Sequence, residues 1–166
     1  MHRSGLNWLL PVLLLATSAS LGARLDVPAD YGTIQEAVDA AQAGDEIVVA
    51  AGEHDGPVRI DKSLVVRSAD GPDQTTIRGT GTGPAVELAG GGGGGILDGF
   101  TITGGASENG GGLFLVGDVA VINCIVTGNT AERGGGAFLA GSPILNQVRF
   151  LSNDAQWGGG VFAAPD

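Results

Sequence analysis

Apolar residues follow a helical period in one segment of this chain and a strand-like period in the rest. In the segment YGTIQEAVDAA, which begins at Tyr31, they recur at the spacing of one helix face. They are Ile34, Ala37, Val38 and Ala41. Thr33 and Glu36 have the spacing of a capping box. The pattern predicts one amphipathic helix that Gly44 ends, followed by a strand over residues 47–51.

From Gly52 onward, short runs of β-branched and apolar residues are separated by Gly, Asp, Pro and Ser. This part of the sequence has no second helical pattern, and short strands between turn residues indicate an all-β fold. The predicted strands cover residues 58–60, 64–67, 75–77, 85–88, 95–103, 113–115, 119–127, 137–140, 144–152 and 161–163.

The triplet GGG recurs every 24 residues, beginning at Gly110, Gly134 and Gly158. A fixed period of this size is typical of a solenoid, in which each repeat forms one coil. Residues 24 positions apart form columns, and we expect the apolar columns to face inward. These columns are Ile96/Ala120/Ile144, Phe100/Cys124/Val148, Ile102/Val126/Phe150, Leu113/Ala137/Val161 and the identical Phe114/Phe138/Phe162.

Mixed columns are expected on the outer face of the coils. They are Thr101/Ile125/Arg149 and Thr103/Thr127/Leu151, while Asp98/Ile122/Asn146 is expected at a corner. Strands that stack in parallel about 4.8 Å apart would give a right-handed parallel β-helix. The prediction is therefore an all-β solenoid of about 24 residues per coil with an N-terminal capping helix.

These patterns divide the chain into three parts. We predict a signal peptide over residues 1–23, a linker, the capping helix and the first strand over residues 24–51, and the coils over residues 52–166. The helix would cover strand edges at one end of the solenoid. The third repeat stops soon after Gly158, so we expect an incomplete solenoid, a fragment of a longer protein, whose open edge favours self-association.

Residues 1–23 have the layout of a secretory signal peptide. His2 and Arg3 precede an apolar run over residues 6–15, and the small residues of ATSASLGA follow. Cleavage is predicted after Ala23 or Ala19; an uncleaved amphipathic N-terminus is the alternative. Because the run is too short to span a bilayer, we expect an exported protein that is not itself integral to a membrane.

The charge composition limits the classes of partner that this protein can bind. The chain has eight Lys and Arg residues against 18 Asp and Glu residues, a net charge of −10. Nucleic acid is excluded as a partner because its binding requires a basic surface along the phosphates. Cys124 is the only cysteine, so no disulfide forms within the chain, and its apolar neighbours in VINCIV predict a buried residue rather than a reactive thiol.

Few polar residues are candidates for a catalytic or metal-binding site. Asp98, Asp118 and Asp154 are 20 and 36 residues apart and need not share a face, which disfavours acid/base or calcium chemistry. The glycine run over residues 90–95 lacks the GGxGxD spacing of a calcium repeat and predicts a loop. His54, between two acids on a predicted turn, is interpreted as solvated rather than as a metal or proton-transfer site.

Asn129 and Asn153 each precede a glycine triplet by five residues. A phosphate-binding loop would need Lys, Ser or Thr after the glycines and a helix beginning there, and the sequence has neither. We expect a ladder instead, in which the two amides stack and satisfy turn backbone. No catalytic, metal or cofactor residue is predicted.

Two stretches resemble known families. The repeats VTGNTAERGGGAF and FLSNDAQWGGGVF, with GILDGFTITGG and SPILNQVRF, resemble those of polymorphic outer membrane proteins and related secreted β-helix proteins over residues 95–162. The stretch DYGTIQEAVDAAQAGDEIVVAAGEH resembles the N-terminal cap and first coil of pectin methylesterases and other pectate-lyase-like proteins, except that His54 stands where an aromatic residue is usual.

The resemblance implies a β-helix fold but does not by itself imply a catalytic activity. Pectin methylesterases act with paired aspartates, pectate lyases with a calcium-binding acid cluster, and polygalacturonases with several aspartates and a GHG element; none of these arrangements follows Gly52. We therefore expect a structural, adhesive or glycan-binding role at the cell surface or outside the cell. A polysaccharide lyase or carbohydrate esterase is the alternative.

Overall fold

The computed structural model of this protein describes residues 22–90 and 94–165. These residues form a parallel β-solenoid of about six turns with one short helix, which confirms the predicted fold class. In chain order the elements are β1 (Arg24–Val27), α1 (Ile34–Ala40), β2 (Glu46–Val49), β3 (Gly52–Asp55), β4 (Val58–Ile60), β5 (Val65–Ser68), β6 (Thr75–Arg78), β7 (Val86–Ala89), β8 (Ile96–Asp98), β9 (Thr101–Thr103), β10 (Ala106–Asn109), β11 (Leu113–Val116), β12 (Ala120–Ile122), β13 (Ile125–Thr127), β14 (Thr130–Arg133), β15 (Ala137–Ala140), β16 (Ile144–Asn146), β17 (Arg149–Leu151), β18 (Asp154–Trp157) and β19 (Val161–Ala163). Within the described ranges, no helix is long and apolar enough to cross a membrane. All but the last two residues of the predicted signal peptide lie outside these ranges.

The strands form four sheets that run along the solenoid. Sheet A has the order β1-β2-β5-β8-β12-β16, sheet B β3-β6-β9-β13-β17, sheet C β4-β7-β11-β15-β19 and sheet D β10-β14-β18. Paired strands within these sheets are parallel. Each strand therefore lies on its counterpart in the neighbouring coil, and the ladder hydrogen bonds run along the solenoid axis.

The 24-residue period holds for the coils from β8 to β19, which we call the upper coils, and not for those from β1 to β7, the lower coils. Ile96 pairs with Ala120 and Ala120 with Ile144, each an offset of 24 residues. Glu46 pairs with Val65 and Val65 with Ile96, which are offsets of 19 and 31 residues. The predicted coil length is thus right for the glycine repeats and wrong below them, because loops of other lengths form the lower corners.

Residues 24–27, predicted to be a linker, form β1 and pair with β2 on sheet A. Leu25 and Val27 are buried in this strand. Within the described residues the solenoid therefore begins at Arg24, and the helical segment is an insertion between the first two described strands of sheet A.

The predicted capping helix is α1. Thr33 Oγ1 accepts a hydrogen bond from Glu36 N at 3.1 Å, and the Glu36 carboxylate accepts one from Thr33 N at 3.2 Å, which completes the capping box. The helix ends at Ala40 and not at Gly44 as predicted. It packs against β1, β2 and β4 and covers one end of the core with Ile34, Ala37 and Val38.

One residue with a positive φ turns each corner of the upper coils. The corners use Gly99, Asn123 and Gln147 after sheet A; Gly104, Gly128 and Ser152 after sheet B; Gly110, Gly134 and Gly158 after sheet D; and Gly117 and Gly141 after sheet C. At the third of these corners, a Cβ on Gly134 would lie 2.2 Å from the carbonyl oxygen of Ala137. Glycine is required there by conformation and by space.

The first corner changes which residues of sheet A face the core. If residues 95–103 formed one strand, alternation of inward and outward side chains would place Ile96 inward. Gly99 instead divides this run into β8 and β9, and the alternation restarts after it. Leu97 is fully buried, whereas Ile144 is 64% exposed. The prediction of Ile96/Ala120/Ile144 as a core column is wrong, and the inward column is Leu97/Val121/Leu145.

The identical phenylalanines stack on the outer face of sheet C and not in the core. The ring centroids of Phe114 and Phe138 are 5.5 Å apart, and those of Phe138 and Phe162 are 5.7 Å apart, with interplanar angles of 12° and 13°. Leu113 and Leu115 are fully buried on the opposite face of the same strand. Stacking between coils stabilises the aromatic column without burying it in the core.

Sheet D is absent from the strand predictions. Its strands read ASEN, TAER and DAQW, which lack an apolar run. The segment between Asn129 and the glycine triplet, for which the sequence predicts turn backbone, contains β14 between two corners. The backbone pairing of stacked coils, rather than side-chain hydrophobicity, holds this sheet in place.

Candidate functional site

The outer face of sheet B borders an open groove of about 540 Å³. On one side it is walled by the turn at Pro72 and Asp73, which is held by a 2.7 Å hydrogen bond from Thr101 Oγ1 to Pro72 O. On the other side lies the first corner of the upper coils. The lining residues, which we call the sheet B groove, are Pro72, Asp73, Asn123, Cys124, Ile125, Gln147, Val148 and Arg149.

Two amide side chains in this groove occupy an unusual backbone conformation. Asn123 has a φ of 47° and Gln147 a φ of 56°, at positions directly above Gly99 in the same column. Residues other than glycine lose stability in this conformation, by about 1–2 kcal/mol each, although Asn tolerates it better than Gln. Both residues are exposed, so burial does not compensate that cost. The positive φ together with a position in the groove makes Asn123 and Gln147 candidates for a functional role.

Arg149 stands at the end of the predicted outer column Thr101/Ile125/Arg149, which the structure places outward on sheet B as expected. It is exposed, and within residues 22–90 and 94–165 it forms no salt bridge. Its guanidinium group therefore presents its N–H donors to the groove.

The other basic residues of the described chain are engaged. The pairs are Arg24 with Asp26, Arg59 with Glu87, Arg67 with Glu46, Arg78 with Glu53, and Arg133 with Glu108 and Glu132. Hydrogen bonding to the Arg78 guanidinium lowers the pKa of Glu53. Lys62 Nζ donates instead to the carbonyl oxygens of Val38, Asp39 and Ala41, at 2.9–3.1 Å. Four of these ion pairs, Arg59–Glu87, Arg67–Glu46, Arg78–Glu53 and Arg133–Glu108, join neighbouring coils. Among the Lys and Arg residues that the structure describes, Arg149 is therefore the one whose charged group is not engaged in such a contact.

His54 does not lie on a solvated turn as predicted. It belongs to β3 and pairs with Ile77, which places it at the base of the inward column of sheet B. Its ring is half-buried, and Nε2 lies 2.9 Å from the carbonyl oxygen of Ala50. It fills the end of the core below Ile77, and this contact explains it as a structural residue.

The three aspartates singled out in the sequence lie on different sides of the solenoid. Asp98 ends β8 directly before the first corner, as its column predicts; Asp118 follows β11; and Asp154 begins β18 on sheet D. Across the part of the chain that the structure describes, no group of three His, Cys, Asp or Glu side chains could hold a metal ion. Of the glycine run, residues 91–93 lie outside the described ranges.

The predicted asparagine ladder is present. Asn129 is fully buried, and its Oδ1 accepts a hydrogen bond from Gly105 N at 2.9 Å. Its Nδ2 donates to the carbonyl oxygens of Ile102 and Thr127 and to Oδ1 of Asn153, each at 3.1 Å. Asn153 repeats the arrangement one coil above and donates to Val126 O at 2.8 Å. The ladder satisfies corner backbone and is structural, not a ligand site.

Cys124 is buried as predicted, at the floor of the sheet B groove. Its Sγ donates to Ile122 O at 3.1 Å and accepts from Phe100 N at 3.4 Å. Burial raises the pKa of the thiol to about 11, so the thiolate is scarce at neutral pH. The residue contributes packing and not nucleophilic chemistry.

Asn123 and Gln147 are not among the candidate residues predicted from the sequence, although their position in the repeat carries a signal. In the 24-residue column they stand where Gly99 turns the corner. A polar residue that replaces a turn glycine indicates a left-handed conformation with an exposed side chain.

No family model, curated protein or solved structure matches the chain.

Proposed function

We propose that this protein is a secreted or cell-surface solenoid that binds a glycan in the sheet B groove and performs no catalysis there. The observation that carries the proposal is the pair of exposed amides, Asn123 and Gln147, held at positive φ one coil apart. Glycine at both positions would turn the corner at lower cost. The retained side chains supply donors and acceptors that the solenoid itself does not use.

The groove chemistry suits a glycan. Amide groups both donate and accept hydrogen bonds, as sugar hydroxyl groups do, and Arg149 adds further donors. Ile125, half-buried between the polar residues, offers an apolar surface to the face of a sugar ring. The groove is open to solvent, so it can admit one part of a longer sugar chain.

Export to the cell surface is supported by the sequence. The pattern of residues 1–23 is that of a signal peptide, and the repeats over residues 95–162 resemble those of polymorphic outer membrane proteins. The resemblance of the N-terminal stretch to pectate-lyase-like caps is consistent with polysaccharide as the ligand class. The fold by itself specifies neither.

The test is a binding measurement with the purified chain on a panel of neutral and acidic polysaccharides. The double variant Asn123→Gly/Gln147→Gly should bind at least about tenfold more weakly, because it loses the groove amides. Its unfolding free energy should stay within about 1 kcal/mol of the parent value or rise, because glycine relaxes the two corners.

Ser152→Gly is the matched control. Ser152 also has a positive φ, 51°, but it turns the second corner and does not line the groove. Its variant should keep parental binding. Undiminished binding by the double variant would refute the groove assignment, and polysaccharide turnover lost on Asp98→Asn or His54→Ala would replace the proposal with an enzyme.

A further inference from the structure

Ala23, directly before β1, is held by both of its backbone polar groups. Its N–H donates a hydrogen bond to Asp45 Oδ1 at 2.7 Å, and its carbonyl oxygen accepts one from Glu46 N at 2.8 Å. The other carboxylate oxygen of Asp45 accepts from Gln42 N at 2.7 Å. One carboxylate therefore joins the start of the first described strand to the turn between α1 and β2.

The surroundings of the Ala23 nitrogen are acidic. Ala23 is exposed and lies at the rim of an open cavity of about 800 Å³. Asp30 and Asp45 line this cavity, and so does Arg24, whose guanidinium group is already paired with Asp26 at 2.7 Å. A positive charge on the Ala23 nitrogen would be stabilised here, because two carboxylates lie near it and one of them is in contact.

The bond directly before Ala23 has the sequence of a processing site. A signal peptide is cut where the residue before the bond and the residue two places earlier are both small. Gly22 and Ser20 meet this pattern. Cleavage after Ala23, one of the two sites predicted from the sequence, would place Leu21 at the earlier position and remove the carbonyl group that accepts from Glu46 N.

Cleavage after Ala19, the other predicted site, keeps Ala23 inside the chain. Its nitrogen then remains an amide that donates a hydrogen bond without carrying a charge. A cut directly before Ala23 turns the same nitrogen into an ammonium group beside a carboxylate, and hydrogen bonds between charged groups are the stronger ones. The position of Asp45 therefore favours the bond between Gly22 and Ala23.

We propose that a signal peptidase cuts the exported chain between Gly22 and Ala23, and that the new α-ammonium group binds the Asp45 carboxylate. Hydrolysis adds one water across the peptide bond, so the Gly22 carbonyl becomes a carboxylate and the Ala23 nitrogen becomes an ammonium group. The ion pair ties β1 to the turn before β2 in the mature protein and is absent from the precursor. The inference rests on the export included in the proposed function and is independent of the sheet B groove.

The processing site is tested by N-terminal sequencing and intact mass of the exported product, which should begin at Ala23. Gly22→Ala separates this site from the earlier one, because alanine is also small enough for cleavage. A cut before Ala23 removes the substituted residue, so the variant's product should have the parental mass and the parental urea midpoint. A product that retains residue 22 would be one methylene group heavier and less stable, since the added Cβ would lie 1.8 Å from Gly44 O.

The ion pair is tested by the rate at which an amine-specific acylating reagent modifies the Ala23 nitrogen, followed on the N-terminal peptide by mass spectrometry. Asp45→Asn should be modified about two- to fivefold faster than the parent, because the ammonium group loses its carboxylate partner. High salt should narrow the difference, since screening weakens an ion pair. Asp30→Asn is the matched control: it removes the same charge from the same cavity but not from the contact, and it should keep the parental rate.

Circular dichroism checks that both aspartate variants are folded. Exported product that begins at Ser20 or Arg24 would overturn the processing site and leave export intact, whereas a chain that stays in the cell and begins at Met1 would refute export as well. Equal acylation rates in folded Asp45→Asn and the parent, or a rate difference that salt leaves unchanged, would overturn the ion pair.

Discussion

Removing the buried amide of Asn129 is expected to destabilise the solenoid more than removing its counterpart one coil above. Asn129→Ala leaves the Gly105 N–H without its acceptor, 2.9 Å away, and takes a donor from the carbonyl oxygens of Ile102 and Thr127. An unsatisfied buried polar group costs about 1–3 kcal/mol, and the vacated volume adds to the loss. We expect a decrease of about 3–5 kcal/mol in the free energy of unfolding.

Asn153→Ala makes the same chemical change at a half-buried site. Water can reach the groups that it leaves unpaired, so the expected loss is about 1–2 kcal/mol. Urea unfolding followed by circular dichroism measures both, and the slope with urea should not change. Asn129→Asp separates hydrogen bonding from volume, because the ionised carboxylate keeps the shape but cannot donate to Ile102 O.

Thr130→Ala is the control, since Thr130 is exposed beside the ladder and should change stability by less than about 0.5 kcal/mol. The reasoning would be refuted if Asn129→Ala cost less than about 1 kcal/mol, or if Asn153→Ala cost as much. A harmless Asn129→Asp would show that packing, and not the hydrogen bonds, explains the loss.

Three further predictions concern the helix, a corner and the thiol. Lys62→Met should lower the unfolding free energy by about 1.5–3 kcal/mol, because it removes the charged donor from the last carbonyls of α1; urea unfolding measures it, and no change would contradict this role. Gly134→Ala should lower the unfolding free energy by more than about 2 kcal/mol, because φ is +68° and the added Cβ would lie 2.2 Å from Ala137 O. Gly128→Asn should lower it by less than about 1 kcal/mol, because at a similar φ of +66° the nearest atom, Thr103 Oγ1, is 3.2 Å from the added Cβ. Equal losses of unfolding free energy would refute the steric explanation. Since burial raises the pKa of Cys124 to about 11, a thiol reagent at pH 8 should label the native chain far more slowly than the urea-unfolded chain, and equal rates would contradict its burial.

Part of the fold followed directly from local patterns. The capping box of Thr33 and Glu36 and the apolar face of α1 are local features, and the structure confirms both. The 24-residue repeat predicted the coil and the ladder of Asn129 and Asn153, because stacking in parallel brings residues one repeat apart into contact. Sheet D was not predictable from hydrophobicity, since its strands are polar and depend on backbone pairing between coils.

The repeat, its period in the glycine-containing coils and the residues that share a column all follow from the amino-acid sequence. The face that each column occupies depends on how the folded coil bends. The alternation of inward and outward side chains restarts at every corner. Because the chain turns at Gly99, Ile96 faces outward and Leu97 inward. The phenylalanine column lies on the outer face of sheet C. The sheet B groove depends on the same corner: Asn123 and Gln147 became candidates for binding because the coil turns at them and leaves their amides exposed beside Arg149. A column in the sequence repeat shows which residues of neighbouring coils stack on one another. Whether their side chains face the core or the solvent depends on where the backbone bends.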